Sequence, residues 1–470
     1  MRRLPLLFPL LALVACGPED ARLDMNAPQI PARFAQAPEA QTDSQILDWP
    51  KLFGSPELTR LSAQAVAGNF DIAAAAARLI QAQGQAMISS AALLPVVTGN
   101  SSASRSYTPG TLRSRRPPFE GSVGNNFGLG LSASYVLDFW GRNSAIADAA
   151  QWNAMASSFD RDTIVLSTQA ALANAYFQVL VAQDRLRLAR QNVDIAEHVL
   201  AAIKARMDVG TATALDLAQQ ESVVASQRAS IPALEQSQQQ AAVLVASLVG
   251  RTPESLTITG GSLDRLNVPQ VRPGLPSQLL LRRPDLAAAE ARLLAAQGNI
   301  KAARTALLPS ITLSTQSGFE SSTLANLLRP EALAASLAAG LLQPIFNGDQ
   351  PEGQLRQAQG RQIELLATYR KVIVTALADV ENALIAVRLT SEHEQLQARV
   401  VASARRAYEI TEQRLQEGTI DVVTLLNTQL TLFQAQDNLT FIRYQRLQAV
   451  VSLFQALGGG FTRDKREEVL

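Results

Sequence analysis

The chain has few of the residues that build disulfides, metal centres and aromatic cores. Its 470 residues include one cysteine and two histidines, and aromatic residues make up 5%. A single cysteine leaves no intramolecular disulfide to infer. We interpret His198 and His393 as exposed helix residues rather than ligands or bases, because neither has companions at metal-ligand spacing. With 42 basic and 41 acidic residues, nothing indicates a nucleic-acid partner.

Proline and glycine are absent from Asn143 to Val209, a run of 67 residues. Because these two residues end helices most reliably, the run predicts one helix about 100 Å long. Large residues recur every seven positions and small ones follow three positions later, as in a coiled-coil seam. The seam consists of Leu172, Val179, Leu186, Val193, Leu200 and Met207, with Ala175, Ala182, Ala189, Ala196 and Ile203. From this run alone, a cytosolic coiled coil or a spectrin-like bundle remains an open alternative.

The amino terminus resembles a bacterial lipoprotein signal. A basic start is followed by Leu4 to Val14, an apolar stretch too short to span a bilayer as a helix. Small residues then precede Cys16, which predicts a signal peptide over residues 1–15 and diacylglycerol and N-acyl chains on Cys16 as the sole added groups. An ordinary signal peptide with an incidental cysteine is the alternative. Gly17 favours the outer membrane, and residues 16–56 are predicted to be an extended lipidated arm without a core of its own.

The chain contains an internal repeat. Asp71 to Thr98 matches Asp285 to Thr312 at a constant offset of 214, and 15 of the 28 pairs are identical. Further on, Arg206 to Leu217 matches Arg414 to Leu425 at an offset of 208. Each half therefore reads as helix, strand, loop, strand, very long helix, turn, helix. The predicted ranges are a first repeat over 57–250 (strands about 95–107 and 125–138, long helix 143–209), a linker over 251–284, a second repeat over 285–460 (strands about 309–319 and 333–346, long helix about 350–416) and a polar tail over 461–470.

The predicted strands alternate apolar and small polar residues. Phe127, Leu129 and Leu131 alternate with glycine and serine, and Ile311 and Leu313 alternate with threonine and serine. A soluble half-buried strand has this pattern, but so does a transmembrane strand that faces lipid outside and water inside. Four strands cannot close a barrel, and open edges are not tolerated in hydrocarbon. A membrane interpretation therefore requires an oligomer, and three chains would give twelve strands.

Several motifs together resemble the bacterial outer-membrane efflux proteins, the TolC-like outer-membrane factors, in their lipoprotein branch. The sharpest is Gly274 to Leu286 in the linker. Leu137 to Arg142 and Gln343 to Gly348 follow strands, and Val209 to Thr211 and Glu417 to Thr419 match the family's helix turns. The resemblance covers nearly the whole mature chain. It implies a mainly α fold with long helical hairpins forming an α-barrel, beneath a twelve-stranded β-barrel that three chains close.

The resemblance also implies partners and sites. The expected partners are two further copies, a periplasmic adaptor, an inner-membrane pump and outer-membrane lipid. The expected role is passive export through the outer membrane, not catalysis. Residues matching the adaptor-contact turns are Val209, Gly210, Thr211, Gly418 and Thr419, and candidate gate residues are Asp216, Asp421, Val423 and Asn427. Two alternatives are a non-pore periplasmic coiled-coil lipoprotein scaffold and an anchored enzyme, the latter disfavoured because no catalytic constellation is evident.

Overall fold

The computed structural model of the chain describes residues 28–36, 48–109, 121–461 and 463. Cys16 and the signal sequence lie outside these residues, as do most of the loop between the first two strands and most of the polar tail. In chain order the elements are α1 (Pro56–Gly68), α2 (Phe70–Ala91), β1 (Val96–Thr108), β2 (Ser122–Leu137), α3 (Arg142–Asp208), α4 (Ala214–Val249), α5 (Leu279–Arg282), α6 (Pro284–Thr305), β3 (Ser310–Ser321), β4 (Leu333–Leu342), α7 (Gln350–Gln416) and α8 (Val422–Ala456).

The two halves have the same element order and nearly the same lengths. Helices α2 and α6 each have 22 residues, and α3 and α7 each have 67. Helices α4 and α8 have 36 and 35 residues. Helices α2 and α6 end a few residues before Pro95 and Pro309, because the residue before a proline disfavours the helical conformation. Each half therefore gives two strands and one long helical hairpin.

The four strands form one antiparallel sheet in the order β1-β2-β3-β4. The register pairs Val97 with Ala133, Ala133 with Thr315 and Thr315 with Leu337, so residues of equal parity lie on the same face throughout the sheet. The odd-numbered face carries the large apolar side chains. They are Val97, Tyr107, Val123, Phe127, Leu129, Leu131, Tyr135, Leu137, Ile311, Leu313, Phe319, Leu333, Leu337 and Leu341. The even-numbered face is mostly serine, threonine, asparagine, glycine and alanine.

The apolar stripe on β2 has the height of a hydrocarbon layer. From Phe127 to Leu137 it extends about 34 Å along the strand. A tilt of about 40°, which is usual in outer-membrane barrels, reduces this to about 26 Å along the membrane normal, close to the usual apolar band of about 25 Å. Large side chains of this stripe, such as Leu131, are exposed in the single chain. The odd-numbered face therefore has both the chemistry and the height of a lipid-facing surface.

The fourth strand is shorter than the sequence predicts. It ends at Leu342, whereas the expectation extended it to residue 346. Pro344 has no amide hydrogen to donate to a ladder, and the side-chain Nε2 of Gln343 instead donates to the carbonyl of Leu307 at 3.2 Å. The segment after Leu342 therefore turns away from the sheet toward α7.

The predicted seam on α3 is buried, except at Leu200 and Met207 near the lower end, which are partly buried. The matching positions on α7 form a second seam, which Glu394 interrupts. They are Val380, Val387, Glu394, Val401, Tyr408 and Leu415. The two carboxylate oxygens of Glu394 accept hydrogen bonds from Arg443 Nε at 3.2 Å and Arg446 Nη1 at 2.8 Å, both on α8. A charge lies at this seam position because two arginines neutralise it.

The largest hydrophobic core lies where the linker wraps the helices, and it includes residues that we expected in the extended arm. Trp49–Phe53 forms a 3₁₀ turn, and both aromatic residues are buried. Trp49 stacks on Phe454 with ring centroids 5.5 Å apart, and Phe53 contacts Phe177 at 5.0 Å. The arm prediction is wrong here, because these two large rings find apolar partners on the long helices.

One described helix, α3, is long and apolar enough to meet a membrane-span criterion, but 56% of the apolar window is buried inside the protein. Its apolar residues include the coiled-coil seam and pack against α2, α4, α6 and α8. The apolar window on α3 is therefore explained by helix packing.

Candidate functional site

The two long hairpins pack together near their turns. One hydrophobic cluster contains residues from α3, α4, α7 and α8 at this end of the bundle. Its members include Ile203, Val223, Tyr408 and Leu425. The α3–α4 turn and the α7–α8 turn thus lie on one compact end, which we call the tip (residues 206–216 and 414–424).

The two tip turns have the same hydrogen-bond pattern. Gly210 and Gly418 adopt φ angles of 79° and 73°, a left-handed conformation that favours glycine. The amides of Thr211 and Thr419 donate to the carbonyls of residues 206 and 414, at 2.8 and 3.0 Å. Both threonine hydroxyls donate to those same carbonyls. Val209 is 74% exposed, so an apolar side chain projects from the first turn.

Each helix that leaves the tip is capped by a pair of residues three positions apart. Thr213 caps α4, and its amide donates to Asp216 Oδ2 at 2.8 Å. Asp421 caps α8, accepting from the amide of Thr424 at 2.8 Å and from its hydroxyl at 2.5 Å. The Thr424 hydroxyl and amide together hold the pKa of Asp421 below its ordinary value. Both acidic gate candidates are therefore engaged in capping their own helices.

The other two gate candidates lie on the exposed face of α8. Val423 is 42% exposed, and Asn427 lies one turn further along. Leu430 and Phe441 continue the same face at helical spacing. This face has no partner among the described residues of a single chain, and the gate assignment stays a prediction.

A hydrogen bond that the sequence did not predict joins the two hairpins at the tip. Arg206 Nη1 donates to the carbonyl of Leu415 at 2.6 Å, joining the last turn of α3 to the last turn of α7. Arg206 was visible in the sequence only as part of the repeat match. Its partner is a backbone carbonyl, which residue types do not reveal.

The junction of sheet and helices carries exposed apolar side chains. Phe139 and Trp140 follow β2, and Ile345 and Phe346 follow β4, where they are 91% and 90% exposed. Trp140 Nε1 donates to the carbonyl of Pro309 at 2.7 Å, which connects the two repeats. Aromatic residues at this level are typical of a membrane–water interface. The signal for this belt was present in two of the motifs, immediately after the strands.

The linker motif holds the second repeat against the bundle. Arg283 forms two bonds with Asp285, from Nε at 3.0 Å and Nη2 at 2.7 Å. Its Nη1 donates to Asp379 at 3.0 Å and to the carbonyl of Ala456 at 3.2 Å. One side chain thus joins the start of α6, the middle of α7 and the end of α8. The role of this motif is structural.

A sheet with one apolar face, open edges at β1 and β4 within the single chain, and two extended hairpins below it define a class of membrane channel. Such a sheet is closed only by neighbouring copies. The chain belongs to the outer membrane efflux protein family, because the sequence model of that family matches residues 61–251 and 275–459. It is an outer-membrane efflux channel, and three copies close its twelve-stranded barrel. The sheet contradicts the alternative of a scaffold without a pore.

Individual relatives agree over nearly the whole chain. It is 39% identical over 469 residues to the pyoverdine export outer membrane protein OpmQ of Pseudomonas aeruginosa, covering 99% of this chain and 98% of that protein. It is 28% identical to the cation efflux system protein CusC of Escherichia coli, covering 96% and 97%. Its fold matches the open state of the Neisseria gonorrhoeae MtrE outer membrane channel with a TM-score of 0.84 and 28% identity, covering 94% and 98%.

Proposed function

We propose that this channel is the outer component of a tripartite efflux system or a type I-like export system. It receives cargo from a periplasmic adaptor and an inner-membrane pump, conducts it passively and catalyses no reaction. The observation that carries the proposal is the pair of matching glycine turns at the tip. The two turns have the same backbone conformation, so each offers a partner the same kind of surface. Three copies of the chain would present this surface six times around the bundle.

The turns have room for a partner. A Cβ added to Gly210 or Gly418 would meet no atom within 4 Å. The backbone at each glycine is therefore open to solvent, and a helical hairpin can approach it closely. Val209 and Thr211 on one turn, and Thr419 on the other, flank these open positions.

Asparagine substitutions separate partner contact from turn formation. Asparagine tolerates the left-handed conformation, so Gly210→Asn and Gly418→Asn should preserve the turns while placing a side chain on the contact surface. We expect both variants to form normal trimers with normal conductance but to fail in efflux and in cross-linking to the adaptor. Gly84→Asn, on α2 and also in open space, is the control. Full efflux by both tip variants would contradict adaptor contact through these turns.

We also propose that Cys16 carries the lipid anchor. The support is the small-residue motif before the single cysteine. Cys16→Ser should lose acylation but retain the trimer, since the barrel supplies its own membrane attachment. Labelled palmitate incorporation measures this directly, and label in the Ser variant would contradict the assignment.

We propose that the pump, more than this chain, decides which compounds are exported. OpmQ is named for pyoverdine export and CusC for cation efflux, yet both are similar to this chain over nearly its full length. Exchanging the pump while keeping this channel should therefore change which compounds are exported. An unchanged cargo range after pump exchange would contradict this division of roles.

A further inference from the structure

The even-numbered residues of the four strands form the water-facing side of the sheet, and one of them is charged. Among the strand residues that the structure describes, Glu320 is the only acid or base on the even-numbered face. Arg105 is the only one on the odd-numbered face. Glu320 lies near the end of β3 that is remote from the helices, with Gly128 opposite it on β2. The carboxylate therefore projects into the bore near its outer mouth.

A notch lies beside this carboxylate. Gly130 and Gly318 face each other on β2 and β3, so bare backbone forms the floor. A Cβ on Gly318 would lie 2.5 Å from the Cα of Gly130 and 2.5 Å from the carbonyl oxygen of Leu129, so no other residue fits this position without displacing backbone. The cavity has a volume of about 180 Å³, and Ala334, which pairs with Gly318 on β3, is one of its lining residues.

The walls of the notch are polar and rich in acceptors. Its lining includes the side-chain amides of Asn100 and Gln316, the hydroxyls of Ser102 and Ser336, and the carboxylate of Glu320. Among the residues that the structure describes, no lysine or arginine lines this cavity. A protonated amine offers several N–H donors to such acceptors and is attracted by the carboxylate.

We propose that this glycine-floored notch is a binding site for cationic groups, such as the protonated amines of a passing molecule, and that Glu320 makes the barrel prefer cations. Three copies of the chain place three such sites around the bore. The proposal rests on the trimeric barrel and is independent of adaptor contact at the tip. The electrostatic range decides where the effect is measurable: the Debye length is about 10 Å at 0.1 M salt and about 30 Å at 0.01 M. In dilute salt the charges of Glu320 therefore reach across a wide bore.

The test uses the purified trimer in planar bilayers, with the dilute side of a tenfold KCl gradient at the outer mouth. We expect Glu320→Gln to lower the cation-to-anion permeability ratio about twofold. Arg105→Gln removes one charge from the lipid-facing side and should leave the ratio unchanged. The contrast between these variants separates a charge in the bore from a charge on the outer wall.

Spermidine added at the outer side probes the notch itself. It should reduce the current of the wild type in a saturable way, and Glu320→Gln should weaken this block. Ala334→Leu fills the notch without changing charge, so it should weaken the block while leaving the permeability ratio intact. The proposal is overturned if Glu320→Gln behaves as wild type, if Arg105→Gln has an equal effect, or if Ala334→Leu leaves the block unchanged. Loss of adaptor cross-linking at the tip would alter none of these readouts.

Discussion

The guanidinium of Arg206 donates to the backbone carbonyl of Leu415 at 2.6 Å, so the end of the first long helix is joined to the end of the second. The bond places a positive charge at the carboxyl-terminal end of α7, where the helix dipole favours it. The repeat gives Arg206 an equivalent, Arg414, but that side chain is exposed. The connection is therefore present in only one direction between the two hairpins of the tip.

Removing this bond should loosen the tip. We expect Arg206→Met, which keeps the aliphatic length but no donor, to raise single-channel conductance relative to wild type in planar bilayers. Arg414→Met is the matched control, because it removes the same group from the equivalent position and should change conductance little. Equal conductance in wild type and Arg206→Met would show that the bond does not restrain the tip.

The cap on α8 should make the tip sensitive to acid. The pKa of Asp421 is lowered by hydrogen bonds from Thr424, so its stabilising effect is present above the ordinary value of 3.8 and is lost as the pH falls through the lowered pKa. Asparagine caps helices about as well as aspartate and does not titrate. Pepsin cleavage at the tip should therefore accelerate in wild type relative to Asp421→Asn as the pH falls from about 5 to about 2. A constant ratio of cleavage rates would contradict the cap's contribution.

The two faces of the sheet should respond oppositely to charge. Leu131 lies on the apolar face and Ser132, its neighbour, on the polar face. An arginine near the middle of the lipid-facing side costs about 2–4 kcal/mol, so Leu131→Arg should reduce the amount of trimer in the outer membrane. Ser132→Arg should assemble normally and alter conductance instead. Quantifying heat-labile trimer in membrane fractions distinguishes them, and equal assembly of both variants would argue against the assigned faces.

The fork of Arg283 should matter more than its charge. Its side chain is 12% exposed and bonds to Asp285, Asp379 and the carbonyl of Ala456. Lysine keeps the charge but not the planar fork, so Arg283→Lys should lower stability by roughly 2 kcal/mol. The temperature at which the trimer dissociates should drop accordingly. The more exposed ion pair of Arg190 with Glu235 provides the control, since Arg190→Lys should have little effect.

Residue patterns predicted the repeated architecture because each pattern has a direct physical cause. The absence of proline and glycine after Arg142 sets the length of α3, and the alternation around Leu131 matches the two faces of the sheet. The sequence also contains the interrupted seam on α7, with Glu394 between Val387 and Val401. What it could not show was that Arg443 and Arg446 neutralise Glu394, because the match depends on the alignment of two helices.

The less predictable features depend on contacts between residues that are distant in sequence. The sequence predicted that Trp49 and Phe53 belong to an extended arm. Their aromatic partners, Phe454 and Phe177, are far away in sequence, so the local pattern did not indicate burial. The candidate site divides in the same way. The glycine turns follow from local sequence, whereas the bond from Arg206 to a backbone carbonyl leaves no signal in residue types. The residues of both caps were present in the sequence at the correct spacing, but Asp216 and Asp421 were interpreted as candidate gate residues.

Each chain supplies four strands, which is a third of the closed barrel. Native mass measurement of the protein extracted from outer membranes in mild detergent tests it most directly. We expect a complex of three chains that dissociates on heating. A stable, fully folded monomer would contradict it, since the edges of β1 and β4 would then have to be satisfied within a single chain.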